Sequence, residues 1–185
     1  MSRIYCILLL AFYSGRSLCD SPVRPLPRVT VSNSGELYFA MIPKNGERNL
    51  DATKEKVEPF GIAYELLTDG KSKELWRVSG WYSHTVFLSN DGEHLVRLGT
   101  LPFGEGASDN DLAVAFYKNG SIIKSYSTND LVKDKSKIEK TSGRYIWFRI
   151  DEIYARLEYT NNFHLKTIDG VEYIFDLSTG DTINP

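Results

Sequence analysis

Residues 75–98 read LWRVSGWYSHTVFLSNDGEHLVRL, and the way this stretch turns back on itself decides the fold. A strand ends in Trp76, a short connection passes through Gly80, and a hairpin is centred on Asp91-Gly92. Asp-Gly between two apolar runs is the strongest short-range hairpin signal, because a type I′ turn needs positive φ at both central residues. With that turn, Leu88 faces Leu95 and Val86 faces Arg97, while Phe87 opposite Val96 and Thr85 opposite Leu98 occupy the other side. Both faces are then largely apolar. A ribbon with one wet side alternates instead, so this one is expected to be covered on both sides.

Working outward, Asn33-Ser34-Gly35 turns Arg28–Ser32 into Glu36–Ile42, and SNSGE at 32–36 repeats SNDGE at 89–93. Gly61–Leu67 and Glu74–Val78 pair around Asp69-Gly70. Asp111–Tyr117 is an unbroken apolar strand that turns at Lys118-Asn119-Gly120 into Ser121–Tyr126. Thr128 or Asn129 caps a short helix over Asp130–Val132, and Lys133–Ser142 is a charged, solvated stretch. Arg144–Ile150, Tyr154–Tyr159, Phe163–Ile168 and Val171–Leu177 complete the strands, with a turn at Asp169-Gly170. Asn49–Lys56, inside a polar insertion ended by Pro59, reads as a short helical turn.

The hairpins come in pairs roughly every fifty residues, 28–42 with 61–78, 84–98 with 111–126, and 144–159 with 163–177, the habit of repeated four-stranded sheets. The expected fold is therefore all-β, built from antiparallel four-stranded blade-like units. A two-layer β-sandwich is the alternative. Leu75-Trp76, His84 and Ser89–Gly92 together resemble the tryptophan-aspartate type of β-propeller repeat, where a Leu-Trp strand end, a histidine and a Ser-x-Asp-Gly hairpin follow in that order. Arg77 stands where that repeat has its aspartate, and Ser83 where a glycine precedes the histidine. The resemblance implies a partial propeller, and three units fall short of the four to eight blades that close one. Association of two chains would supply the remainder.

At the N-terminus, Arg3 followed by the apolar run Ile4–Tyr13 and a small-residue region reads as a secretory signal over residues 1–19. Lipid attachment at Cys19 is the alternative. Residues 20–27 form a proline-rich linker, and 28–185 a single β-domain. Both cysteines, Cys6 and Cys19, fall in the signal, so the exported domain has neither disulfide nor thiolate metal site. Removing Arg3 and Arg16 leaves 20 basic against 24 acidic residues, a net charge of −4. That balance gives no electrostatic reason to bind nucleic acid. The apolar runs are too short to span a membrane as helices.

His84 and His94 lie on opposite arms of the central hairpin, five residues out of step, or roughly 16 Å at the rise of a strand, too far to share an ion. The loop Phe103–Asp111 (FGEGASDND) is the most site-like stretch, with Glu105, Asp109 and Asp111 as hard oxygen donors suited to Ca²⁺. It lacks the order of a calcium hand, and a solvated loop is the competing explanation. Trp81, Tyr82 and Trp147 are the candidate ligand-binding aromatics, set against a core role. Trp147 alternates with Tyr145 and Arg149, which gives that strand an aromatic and basic face. Serine-elbow, zinc-helix and phosphate-loop motifs are absent from the sequence. Asp151-Glu152 and Glu158 are candidates for a glycosidase-like acid pair, but Asp151 and Glu152 point to opposite faces if extended, and a charged edge or turn is the competing explanation. The expected function is non-enzymatic: an exported, secreted or periplasmic, domain that binds a protein or glycan or takes part in an envelope assembly. A hydrolase acting on extracellular carbohydrate is the alternative.

Overall fold

A computed structural model describes residues 25–44, 58–149 and 154–183. The expected signal, the start of the linker, the helical turn at Asn49–Lys56 and the Asp151-Glu152 pair lie outside the described residues. Within them the protein is all-β, and its antiparallel sheets do not close into a barrel.

Sheet 1 runs in sequence order through β1 (Arg28–Val31), β2 (Leu37–Ile42), β3 (Phe60–Leu66) and β4 (Ser72–Ser79). Sheet 2 repeats this order with β5 (Val86–Leu88), β6 (His94–Leu98), β7 (Leu112–Lys118) and β8 (Ser121–Ser127). A small hairpin joins β9 (Glu139–Lys140) to β10 (Tyr145–Ile146). Sheet 3 contains β11 (Ala155–Leu157), β12 (Asn162–Lys166) and β13 (Glu172–Asp176). The first two pairings of hairpins, 28–42 with 61–78 and 84–98 with 111–126, are therefore whole sheets.

The third unit is displaced by one strand from the expected 144–159 with 163–177. Among the described residues 144–149 there is no strand of sheet 3: Tyr145–Ile146 pairs with β9, and Phe148 makes a single bridge to Thr167 just past β12. The fourth position of sheet 3 is taken instead beyond the final turn, where Thr182 bridges Phe175 and Ile183 N donates to Ile174 O at 2.7 Å. Tyr145, in the two-residue β10, and Trp147 just beyond it alternate as strand residues do, and both side chains are fully buried. They plug one end of a core.

Sheet 2 is the middle layer. Its register matches the sequence pairing, with Val86 opposite Arg97, Phe87 opposite Val96 and Leu88 opposite Leu95. Val86, Leu88, Leu95, Ala115 and Tyr117 pack with Leu37, Phe39, Met41, Trp76 and Val78 of sheet 1. The alternate residues Val96, Leu98, Val114 and Phe116 pack with Phe163, Leu165, Phe175 and Leu177 of sheet 3 and its flank. Burial on both faces is what makes these strands read as unbroken apolar runs. Two cores separate three layers, one more layer than a sandwich has.

The repeated SNSGE and SNDGE segments build the same turn. Ser32 N donates to Leu37 O at 2.9 Å and Ser89 N to His94 O at 3.0 Å, while Gly35 and Gly92 take φ of 81° and 71°. Only the glycine is left-handed in each, so Asp91-Gly92 is not the type I′ turn expected of it. That turn occurs at Asn119-Gly120, where φ is 47° and 80°, and Lys118 faces Ser121 as a two-residue loop requires. A short helix, α1 (Thr128–Leu131), follows sheet 2. Ser127 caps it, one residue before the expected cap, in a reciprocal pair with Asp130. Its Leu131 is buried in the second core.

Candidate interaction surface

The inner face of sheet 1 is committed to sheet 2, and strand alternation then fixes what its outer face carries. In register across β1, β2 and β3 these are Val29 beside Ala40 beside Ile62, and Val31 beside Tyr38 beside Tyr64. Ile42 and Phe60 extend the row at one end, and Leu66 at the other. Tyr38 and Tyr64 stack at 5.1 Å between ring centroids. Val29, Val31 and Leu66 are 63%, 55% and 49% exposed. Across β4 the face carries one charged pair, Glu74 and Arg77, whose two hydrogen bonds are both 2.7 Å. The Arg77 guanidinium holds the Glu74 carboxyl below its ordinary range. Ser72 lies on the same edge and accepts from the Tyr38 hydroxyl at 2.7 Å, and Ile62 at the centre is only 8% exposed, so the face is apolar over β1–β3 and polar along β4, with its charges neutralised internally. Among the described residues no strand or helix packs over it.

Sequence reasoning passed over this surface. Its signal was present in LYFAMI at 37–42 and in the IAY of β3, which are as two-sided as the central hairpin. A bulge hid the regularity further on. At Ala63/Tyr64 the register of β3 against β4 shifts, with Ala63 opposite Trp76 and Tyr64 opposite Glu74. Leu75 is the extra residue, and it joins Trp76 in packing toward sheet 2.

The residues singled out from sequence lie elsewhere, and they are dispersed. Trp147 is fully buried and its Nε1 donates to Thr100 O at 3.0 Å. It is a core residue, which removes it from the ligand-binding set. Trp81 is half-buried: its ring lies 5.4 Å from that of Tyr117 and carries the Arg97 guanidinium 4.4 Å from its centre. Tyr82 donates to Leu26 O at 2.7 Å and meets the His84 ring edge-on. Both aromatics are engaged in seating the connection between sheets 1 and 2.

The carboxylates of the 103–111 loop do not converge. Glu105 pairs with Lys140 at 2.7 Å, Asp109 accepts from Asn129 Nδ2 at 2.6 Å, and Asp111 accepts from the Tyr145 hydroxyl at 2.8 Å. Burial, with Asp111 beside it, pushes the Tyr145 phenol up to about 12. Among the described residues, no three His, Cys, Asp or Glu side chains are grouped to hold a metal ion. In this arrangement the three acids serve as separate struts between the loop, α1 and the β9–β10 hairpin.

The histidines are separate as well. His94 is buried, and its Nδ1 lies 3.1 Å from Asp91 Oδ2. Asp91 also accepts from the Ser89 hydroxyl and from Glu93 N. The serine hydroxyl bonds to the aspartate and to the His94 backbone rather than to its imidazole, so the trio tightens a turn. Trp76 of sheet 1 donates to Gly92 O of that same turn at 2.6 Å. His164 lies on the outer face of sheet 3, where its Nε2 is 3.0 Å from Glu158 and its Nδ1 3.1 Å from Arg156. A cavity of about 90 Å³ opens beside it, with Glu172 its one carboxylate. Comparison with family models, curated proteins and solved structures finds no match to this chain.

Proposed function

We propose that this protein works by contact rather than catalysis, as an exported β-sheet module that engages a protein partner through the outer face of sheet 1. The observation that carries the reading is that face itself. A four-stranded sheet with apolar side chains in register and three of them about half exposed or more is larger than the isolated hydrophobic residues normal on a protein surface. Its chemistry favours a protein over a glycan. Sugars are bound by open aromatic rings set among free hydrogen-bonding groups, whereas here Tyr38 and Tyr64 stack on each other, the Tyr38 hydroxyl is spent on Ser72, and Glu74 opposite Tyr64 is held by Arg77. Export is supported by Arg3 and the Ile4–Tyr13 run.

The hydrolase reading has less to stand on. The cavity beside His164 offers Glu172 as its only carboxylate, and the one between α1 and β13 offers only Asp130. Acid–base hydrolysis of a glycoside needs two facing one reacting centre.

The test is a comparative cross-linking capture from the native source, with the unmodified protein and with Val29→Glu/Val31→Glu as bait. Both positions are more than half exposed on an edge strand, so the fold should tolerate the change. Recovery of the partner is expected to fall at least tenfold. Equal recovery with both baits would remove the face from the function.

A further inference from the structure

The two end faces of the three-layer stack differ in chemistry, and that difference limits what sheet 1 can receive. The outer face of sheet 3 is polar: Arg156 lies beside His164, and Lys166 pairs with Glu172 at 3.4 Å. Head-to-tail addition of a second chain, the arrangement that would extend a three-unit stack toward a propeller, would press this charged face against Val29, Val31, Tyr38 and Tyr64. These groups, already paired among themselves, would lose water against side chains that offer no hydrogen bond in return, a mismatch that disfavours this arrangement.

We propose that the occupant of the sheet 1 outer face is a second copy of the same face, packed sheet on sheet about a two-fold axis. This rests on reading that face as an interaction surface. Self-pairing satisfies its chemistry on both sides, apolar against apolar, with no net charge to select an acidic or basic partner because Glu74 and Arg77 cancel within each copy. A two-fold contact uses one patch twice and closes, whereas a head-to-tail contact leaves ends. The size is adequate. Four strands about 4.8 Å apart and four to eight residues long, about six on average, at about 3.4 Å each span roughly 400 Å². With side-chain relief, a pair of such faces buries about 1,200 Å², at the lower end of the range of about 1,200–2,000 Å² for specific interfaces. Facing sheets settle about 10 Å apart with strands about 30° out of line, which leaves room for the Tyr38–Tyr64 stack of each copy to lie against its equivalent.

The experiment is sedimentation velocity of the full chain from about 0.1 to 100 µM, with hydroxyl-radical footprinting at both ends of the range. A reversible dimer is expected, with protection of Tyr38 and Tyr64 rising as it forms. Val29→Glu/Val31→Glu should raise the dissociation constant at least about 100-fold, because each new carboxylate is buried against apolar side chains without a partner. Leu66→Asp is a second disrupting variant on a different strand, and Arg156→Glu on sheet 3 should change nothing. A dimer broken by Arg156→Glu and untouched by the sheet 1 variants overturns the proposal. So does a monomer throughout, in which case the functional reading is judged separately. If Tyr38 and Tyr64 react freely and capture is still lost with Val29→Glu/Val31→Glu, the face receives a different protein and only the second copy is wrong. If they stay protected at every concentration, another part of the same chain covers them and both readings fall.

Discussion

Sheets 1 and 2 have the same strand order, the same antiparallel sense and first turns closed by the same hydrogen bonds, yet sheet 1 is an end layer and sheet 2 the middle one. The difference lies in a single face. Both faces of sheet 2 are spent on cores, through Leu88 and Leu95 on one side and Val96 and Phe116 on the other. Sheet 1 spends Leu37, Phe39 and Met41 on its core and carries Val29, Val31 and Tyr38 outside. Topology thus fixes which side chains share a face, and what covers that face is a separate matter settled by neighbours.

The sharpest way to break this contrast is to cut one large side chain from each kind of face. Phe116 is fully buried, with its ring 5.1 Å from Phe175 and 6.1 Å from Phe163. Phe116→Ala should cost about 3–5 kcal/mol in urea unfolding, through lost burial and the cavity left behind. Val31→Ala on the outer face of sheet 1 should cost less than about 0.5 kcal/mol at concentrations where the chain is monomeric. Similar losses at both would mean that sheet 1 is as fully covered as sheet 2.

A second comparison sets two left-handed glycines against each other. Gly35 in the first turn of sheet 1 has open space around it, so Gly35→Ala meets only the backbone penalty, about 1 kcal/mol. At Gly120, on the last turn of sheet 2, an added Cβ would lie 2.4 Å from Arg77 O of sheet 1. Gly120→Ala should add a collision between layers and cost at least about 2 kcal/mol. Equal midpoints in denaturant for the two variants would show that the layers are not held that closely.

How much of this was legible depends on range. The pairing of Val86 through Leu88 with Leu95 through Arg97 follows from alternation and a glycine turn, both local, and it holds in the structure. Two-sided burial of sheet 2 was legible for the same reason, since an unbroken run such as LAVAFY leaves no wet face. What failed was contingent on tertiary neighbours. Tyr145 and Trp147 alternate like strand residues, but they fill the space between α1, sheet 2 and sheet 3. The C-terminal edge of sheet 3 is short and polar, so nothing in its sequence marks it as a strand. Glu105, Asp109 and Asp111 crowd together in sequence while their partners Lys140, Asn129 and Tyr145 come from later segments. The outer face of sheet 1 was missed because LYFAMI was read for its hairpin and not for its second side.

Between the two sheets, Trp76 is the buried polar tie, beside an exposed one from Ser34 N to Asn90 Oδ1 at 2.9 Å. Its Nε1 donates to Gly92 O, linking β4 to the first turn of sheet 2 in a buried setting. Trp76→Phe keeps a ring against Phe39 and removes the donor, leaving the Gly92 carbonyl unpaired. The expected loss is about 1–3 kcal/mol, with faster amide exchange in residues 89–94 than in 32–37. Equal acceleration in both turns would indicate general loosening of the sheet and no specific tie.

The smallest expected effect separates the two turns by one atom group. Asp91 in SNDGE is replaced by Ser34 in SNSGE, so at this position, inside the turn, only sheet 2 has a carboxylate, while Glu36 and Glu93 follow the glycine in both. Partial burial pushes the Asp91 carboxyl up, but the Ser89 hydroxyl, the Glu93 amide and His94 outweigh it, and the group sits below its ordinary value. A carboxyl depressed in the folded state stabilises it above the unfolded pKa, and that contribution disappears as pH falls through the folded value. Acidification from pH 6 to pH 2.5 should therefore loosen residues 89–94 while leaving 32–37 comparatively unchanged, read by two-dimensional NMR of the backbone amides. Asp91→Asn keeps an oxygen to accept from Glu93 N and Ser89 Oγ but cannot titrate, so it should erase the difference in pH response between the turns. If the wild-type turns respond alike, the carboxylate adds nothing to the turn that a hydroxyl at Ser34 does not.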